Sequence, residues 1–216
     1  TRPLLESGAD LHVIEIDRDL AAQLPSRVPG LDPQRVHVGD ALKTDIASLV
    51  PASPDQPLRV VGNLPYNIST PLLVRLLEAS DVIRDMHFML QKEVVDRMAA
   101  APGGRDYGRL SLLCQYRCEV VPLFTVAPGS FNPVPRVESA FVRLAPHPQP
   151  PVEIVDHAAF NRLVTQAFSQ RRKTLANSLK PLMPASLIRA AGIDPGLRAE
   201  AISLEGYAAL AKVMAH

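Results

Sequence analysis

Over the first two thirds of the chain, short apolar runs alternate with stretches of helical periodicity, and several of the runs stop at a polar residue. Leu11-His12-Val13-Ile14-Glu15 follows a break at Gly8 and reads as a buried parallel strand ending on an acid. Asp17 is then the expected N-cap of a helix running through Leu24, with Asp19 at the positive end of its dipole. Val36-His37-Val38-Gly39-Asp40 is a second short strand, again ending on an acid. A connection carrying Pro51, Pro54 and Pro57 leads to a third strand, Leu58 to Gly62, which runs into Asn63-Leu64-Pro65-Tyr66. Ser69-Thr70-Pro71 gives a hydroxyl cap and a first-turn proline to a helix whose core face is Leu72, Leu73, Leu76 and Leu77. Met86 to Leu90 reads as a fourth strand and Glu93 to Ala100 as the helix after it.

Strands alternating with helices at this spacing predict an α/β fold: a parallel sheet with helices on both faces and a ligand crevice at the carboxyl ends of the strands. Three successive strand ends carry Glu15, Asp40 and Asn63, so this topology sets three polar groups along one edge of the sheet. The pattern then changes. Tyr107 to Leu113 begins a helix, Glu119 to Phe124 is a strand, and Val137 to Leu144 is a last strand in alternating pattern. Between those two strands, Pro128 to Pro135 forms a stiff loop with one aromatic, Phe131. Pro146, Pro148, Pro150 and Pro151 mark a linker, and from Asp156 onward the pattern is helical. These features predict an α/β domain over residues 1–148 and a small all-helical domain over 149–216.

Composition narrows the chemistry. In 216 residues, 47% hydrophobic content is enough for a sizeable core, and 23 Lys+Arg against 22 Asp+Glu leave a net charge of only +1. Any nucleic-acid surface is therefore local. Residues 161–193 supply such a concentration: Arg162, Arg171, Arg172, Lys173, Lys180 and Arg189 without a single acid. A run of this kind is either a solvated helix face or a set of phosphate contacts, and its one-sidedness favours the second. Cys114 and Cys118 stand at helical i, i+4 spacing with no His or further Cys around them, which argues against a zinc site or a disulfide scaffold. No apolar run reaches the length of a membrane span and no secretion signal is evident, so the expected setting is cytoplasmic, with no metal and no membrane partner.

The strand ends suit a nucleoside-bearing ligand. A carboxylate at such an end can accept ribose hydroxyls, and a neighbouring one can accept from an adenine amino group; Glu15 and Asp40 are the candidates, although either taken alone reads first as a helix cap or surface acid. Asn63 to Tyr66 combines an amide, a carbonyl held extended by the following proline, and a flat ring. These groups can hold a planar base that bears an amine. By themselves the four residues also describe an ordinary strand exit with a turn-forming proline, and Phe131 also fits a hydrophobic plug.

The blocks Val13-Ile14-Glu15-Ile16-Asp17, Gly39-Asp40-Ala41-Leu42, Asn63-Leu64-Pro65-Tyr66, Phe131 to Ser139 and Ala167 to Leu175 together resemble the KsgA family of ribosomal RNA adenine dimethyltransferases, in the same order and over nearly the whole chain. The resemblance implies a Rossmann-like S-adenosyl-L-methionine-dependent methyltransferase that modifies N6 of two adjacent adenosines near the 3′ end of 16S rRNA. It also implies a role in small-subunit biogenesis, a monomer, and the pre-ribosomal small subunit as partner. It assigns Glu15 to the cofactor ribose and Asp40 to the cofactor adenine, with Ile16 and Ala41 beside them. Asn63 faces both the cofactor and the target base, and with Leu64, Pro65 and Tyr66 makes up the catalytic motif. Tyr66 and Phe131 sandwich the target adenine, and Arg171, Arg172 and Lys173 contact the RNA. The family's first strand and glycine-rich loop are expected upstream of Thr1. Two alternatives stay open from the sequence: a large-subunit rRNA adenine methylase of the macrolide-resistance type, and a non-catalytic ribosome-assembly factor.

Overall fold

The computed structural model describes residues 1–49 and 57–214. Pro51 and Pro54 of the predicted connection lie outside them. The chain divides into two compact units, Thr1–Leu58 with Asn67–Val82, and Arg59–Tyr66 with Ile83–His216.

In the first unit, helix α1 (Arg2–Glu6) precedes strand β1 (Val13–Glu15), helix α2 (Arg18–Arg27) and strand β2 (Val36–Val38). β1 and β2 pair in parallel with Glu15 opposite Val38, as the two apolar runs predict. Asp17 caps α2 as expected, accepting from the amides of Asp19 and Leu20, and the helix continues past Leu24 and through Pro25 to Arg27. A short helix α3 (Ile46–Leu49) follows. Helix α4 (Ser69–Glu78) buries Leu72, Leu73, Leu76 and Leu77, the predicted core face. Its cap differs from expectation. Ile68 is the N-cap, without a side-chain hydrogen bond, and Ser69 is the first residue inside the helix, buried. Arg75 of α4 donates to the carbonyls of Leu42 and Thr44, tying the segment after β2 to the helix.

The second unit is organised on a four-stranded sheet in the order β3-β4-β6-β5, where β3 is Leu58–Asn63, β4 Ile83–Gln91, β5 Cys118–Val126 and β6 Ser139–Pro146. This departs from the expected parallel sheet: β4 with β6 and β6 with β5 are antiparallel, and the last strand in sequence inserts between its predecessors. The reason is visible in the register. Met86, Phe88 and Leu90 of β4 stand opposite Leu144, Val142 and Ala140 of β6, all six buried. Period-2 alternation in both strands thus presents one continuous apolar face, which an antiparallel pairing brings together directly. Helices α5 (Lys92–Ala99) and α6 (Arg109–Arg117) pack on the sheet and bury Val95, Met98, Leu112 and Cys114.

From His157 onward the described residues hold helices α7 (His157–Phe168), α8 (Leu175–Ser178), α9 (Ala185–Ala190) and α10 (Leu204–Met214), with one isolated bridge between Thr174 and Arg198. Phe160, Leu163, Leu179, Ile188, Tyr207 and Leu210 are at most 2% exposed and form a cluster that also takes in Tyr107, Leu112 and Tyr116. The Tyr207 hydroxyl donates to Ala199 O at 2.9 Å, so this buried polar group is satisfied. Among the described residues no helix is long and apolar enough to cross a membrane.

Candidate active site

Strand β3 alternates, with Val60 and Gly62 towards the interior and Arg59, Val61 and Asn63 outward. Its outward row ends on Asn63, whose side chain is exposed. The next residue turns back inside: Leu64 is 8% exposed and its amide donates to Met89 O of β4 at 3.3 Å. That bond, together with the proline that follows, fixes the backbone around the Leu64 carbonyl. Gly62 makes the inward turn possible. A Cβ there would lie 2.9 Å from Leu64 Cδ2 and 3.7 Å from Phe88 Cδ1, so a side chain at 62 would force Leu64 to shift.

Tyr66 is 37% exposed as a residue while its hydroxyl lies 2.9 Å from Ser139 Oγ, on a serine that is 1% exposed. The far end of the ring is therefore tethered to the first residue of β6. Asn63 through Tyr66 line one concavity of about 230 Å³ together with Phe131, Pro133 and Pro135. The Asn132–Pro133 bond is cis, and residues 128–130 form a turn of 3-10 helix that leads into Phe131, which is half-buried. Two aromatic rings, an amide side chain and a fixed carbonyl thus surround a space suited to a flat heterocycle, with no ionisable side chain except Tyr66 in its lining.

Glu15 and Asp40 fall in the other unit. They are adjacent at the carboxyl ends of β1 and β2, where the Gly39 amide donates to Glu15 O at 2.9 Å. Glu15 Oε1 accepts from the Asp17 amide at 3.0 Å, and Asp40 Oδ1 from the Leu42 amide at 2.9 Å. Each carboxylate is oriented by a local backbone donor through one of its oxygens. Ile16, between strand and helix, is 67% exposed, and Ala41 is partly buried beside Asp40. Two oriented acceptors and an uncovered apolar side chain fit the adenosine part of S-adenosylmethionine, whose ribose hydroxyls and adenine amine donate, in hydrogen-bonding capacity and polarity. Among the described residues no group of three or more His, Cys, Asp or Glu is arranged to hold a metal ion.

The basic triplet is divided. Arg172 and Lys173 are exposed with no ion pair among the described residues, whereas Arg171 donates to the carbonyls of Arg105 and Tyr107 at 2.6 and 3.3 Å. Sequence reasoning missed Ser139 as the anchor of Tyr66. The residue stood at the end of the Phe131 to Ser139 block, and only the strand pairing shows what its hydroxyl meets. Pro133 and Pro135 belonged to the same block and prove to be walls of the concavity.

The sequence profile of the family described as ribosomal RNA adenine dimethylase matches residues 1–216. A ribosomal RNA small subunit methyltransferase A from Pseudomonas aeruginosa is 55% identical over 216 residues, covering 100% of this chain and 80% of the relative. Among solved structures, a dimethyladenosine transferase from Plasmodium falciparum superposes with a TM-score of 0.74 at 24% identity, over 91% of this chain and 78% of that one. The 23S rRNA methyltransferase ErmE superposes with a TM-score of 0.62 at 26% identity, over 94% and 81%. These structures share the Rossmann-like fold, and the profile match over the whole length together with the close relative shows that the chain belongs to the ribosomal RNA adenine dimethylase family.

Proposed function

We propose that the chain methylates N6 of adenosines in small-subunit rRNA, with the concavity between Asn63–Tyr66 and the Phe131 loop as the seat of the target base. The observation that carries this reading is the convergence of Asn63, Leu64, Pro65, Tyr66 and Phe131 on one space. S-adenosylmethionine, which Glu15, Ile16, Asp40 and Ala41 would hold, supplies the electrophilic methyl group. The chain's own task is to make an adenine amine reactive. That amine is a poor nucleophile because its lone pair is delocalised into the ring. The Asn63 side-chain oxygen and the Leu64 carbonyl would accept hydrogen bonds from its two N–H groups, which turns the lone pair out of conjugation and frees it to act as a nucleophile. The amine becomes acidic as it is alkylated, so its proton leaves without a strong base, and rate comes from positioning and electrostatics. Tyr66 and Phe131 stack on the flipped base, each face worth about 1–3 kcal/mol, which offsets the few kcal/mol of extruding it.

The helical part from residue 149 serves RNA, and the segment holding Arg171, Arg172 and Lys173 meets its backbone. The enzyme acts as a cytoplasmic monomer on the pre-ribosomal small subunit. A large-subunit substrate is the less favoured reading, since 55% identity links this chain to a small-subunit enzyme and 26% to the large-subunit one. Mapping methylated adenosines in both rRNAs of a strain lacking the gene decides between them: the small-subunit adenosines are expected to lose their methyl groups. Loss confined to the large subunit would refute the assignment.

A further inference from the structure

Within the basic triplet, Arg171 bonds to the protein, although its side chain is 47% exposed. Its Nη2 donates to Arg105 O at 2.6 Å and to Tyr107 O at 3.3 Å, and its Nε lies 3.9 Å from Glu200 Oε2. The segment it grips, residues 101–107 between α5 and α6, is held at two further points. The Gly103 amide, on a residue with φ of +83°, donates to Glu200 O at 2.7 Å. The Tyr107 ring is buried and stands edge-on to Phe168 at 6.3 Å. Arg171 and Glu200 together thus brace this loop against the helical part.

The brace determines where Arg105 lies. Its carbonyl is within hydrogen-bond distance of Arg171, one residue from Arg172 and two from Lys173. The Arg105 side chain is exposed and has no ion-pair partner among the described residues, as is true of Arg172 and Lys173. Arg171 thus links the backbone of Arg105 to the segment that carries Arg172 and Lys173, two stretches distant in sequence that between them expose three cations, while its own guanidinium meets two carbonyls and lies 3.9 Å from Glu200.

We propose that the RNA surface is bipartite: Arg105 contacts phosphate alongside Arg172 and Lys173, and Arg171 is the positioning residue that sets Arg105 among them. The proposal rests on the reading of this segment as RNA-binding. Arginine suits the strut because Nη2 reaches the two carbonyls while Nε, on the other side of the guanidinium, faces Glu200, a spread that the single nitrogen of a lysine does not span.

The test uses the full-length protein and a hairpin fragment from the 3′ end of small-subunit rRNA, with affinity measured across a salt series. Arg105→Gln should lower the slope of log affinity against log salt by about 0.7–0.9, the loss of one phosphate contact, and the pair Arg172→Gln, Lys173→Gln by about twice that. Arg171→Lys keeps the charge but breaks the fork. It should speed hydrogen exchange at the Gly103 amide and shrink the further effect of Arg105→Gln, a coupling that independent residues do not show. An unchanged slope in Arg105→Gln, with a lowered slope in the Arg172, Lys173 pair, overturns the bipartite surface and leaves the RNA-binding reading standing. Native exchange and affinity in Arg171→Lys overturn the strut. No effect in any variant removes the RNA-binding reading itself.

Discussion

The tether between Tyr66 and Ser139 predicts an order of stabilities that is the reverse of simple additivity. Ser139 is 1% exposed and its hydroxyl meets that of Tyr66 at 2.9 Å. Tyr66→Phe removes the partner and leaves a buried hydroxyl behind, which costs roughly 1–3 kcal/mol. Ser139→Ala removes the buried group itself. The Tyr66 hydroxyl then sits on a residue that is 37% exposed and can turn to water, so the loss is only the net worth of the bond, about 0.5–1.5 kcal/mol. The double variant leaves no orphan and should be at least as stable as Tyr66→Phe alone. Urea unfolding of the four proteins measures the cycle. Turnover separates the tether from the ring: Tyr66→Phe keeps a stacking face and should lose up to about tenfold in kcat/KM, a 1.4 kcal/mol effect. Tyr66→Ala forfeits stacking worth about 1–3 kcal/mol, a loss of about 5- to 140-fold. Equal, additive stability losses would refute the buried pair, and equal turnover in Tyr66→Phe and Tyr66→Ala would refute stacking.

Gly62→Ala should force Leu64 off its seat, because the added methyl falls 2.9 Å from Leu64 Cδ2; we expect about 1–3 kcal/mol of destabilisation in unfolding experiments, with a fall in turnover. His12 and His37 stack at 5.2 Å between ring centroids with nitrogens 2.9 Å apart, and burial, then the charge of His12, hold His37 below its ordinary 6.5. The unfolded state takes up that proton more readily, so this contribution to stability is complete above pH 6.5 and declines as pH falls through the lowered value. Thermal unfolding between pH 7.5 and 5 should show a dependence that His37→Gln weakens. Burial pushes the Cys118 thiol up to about 12 and Cys114 higher still, so thiol reagents at pH 8 should label both only as fast as the protein opens; rapid labelling of the native protein would contradict their burial.

Much of this was legible in the chain because it is local. The third strand and the Asp17 cap follow from a few adjacent residues, and the structure returns both, with β3 running one residue beyond the expected Gly62 to Asn63. The cap of α4 was misread because Ser69 and Ile68 differ by one position, within the usual uncertainty of helix ends. Strand pairing is another matter. Alternation identifies β5 and β6 as strands, but the insertion of β6 between β4 and β5 depends on which buried faces meet across 50 or so residues, and no local signal encodes that. The same separation hid the Tyr66–Ser139 bond, which spans 73 positions. In the basic triplet, composition gave the charge and could not give direction. Only the packed loop shows that Arg171, exposed like its two neighbours, is the one that bonds to the carbonyls of Arg105 and Tyr107.

The central claim is that Asn63 and the residues after it hold the adenine amine for methyl transfer. Asn63→Ala in the full-length protein tests it most directly, with N6 methylation of small-subunit rRNA followed by mass spectrometry and RNA binding measured in parallel. Asn63 is exposed at the end of its strand, so the fold should survive. Methyl transfer is expected to fall to the limit of detection with RNA affinity largely kept. Near-normal turnover in that variant would contradict the account.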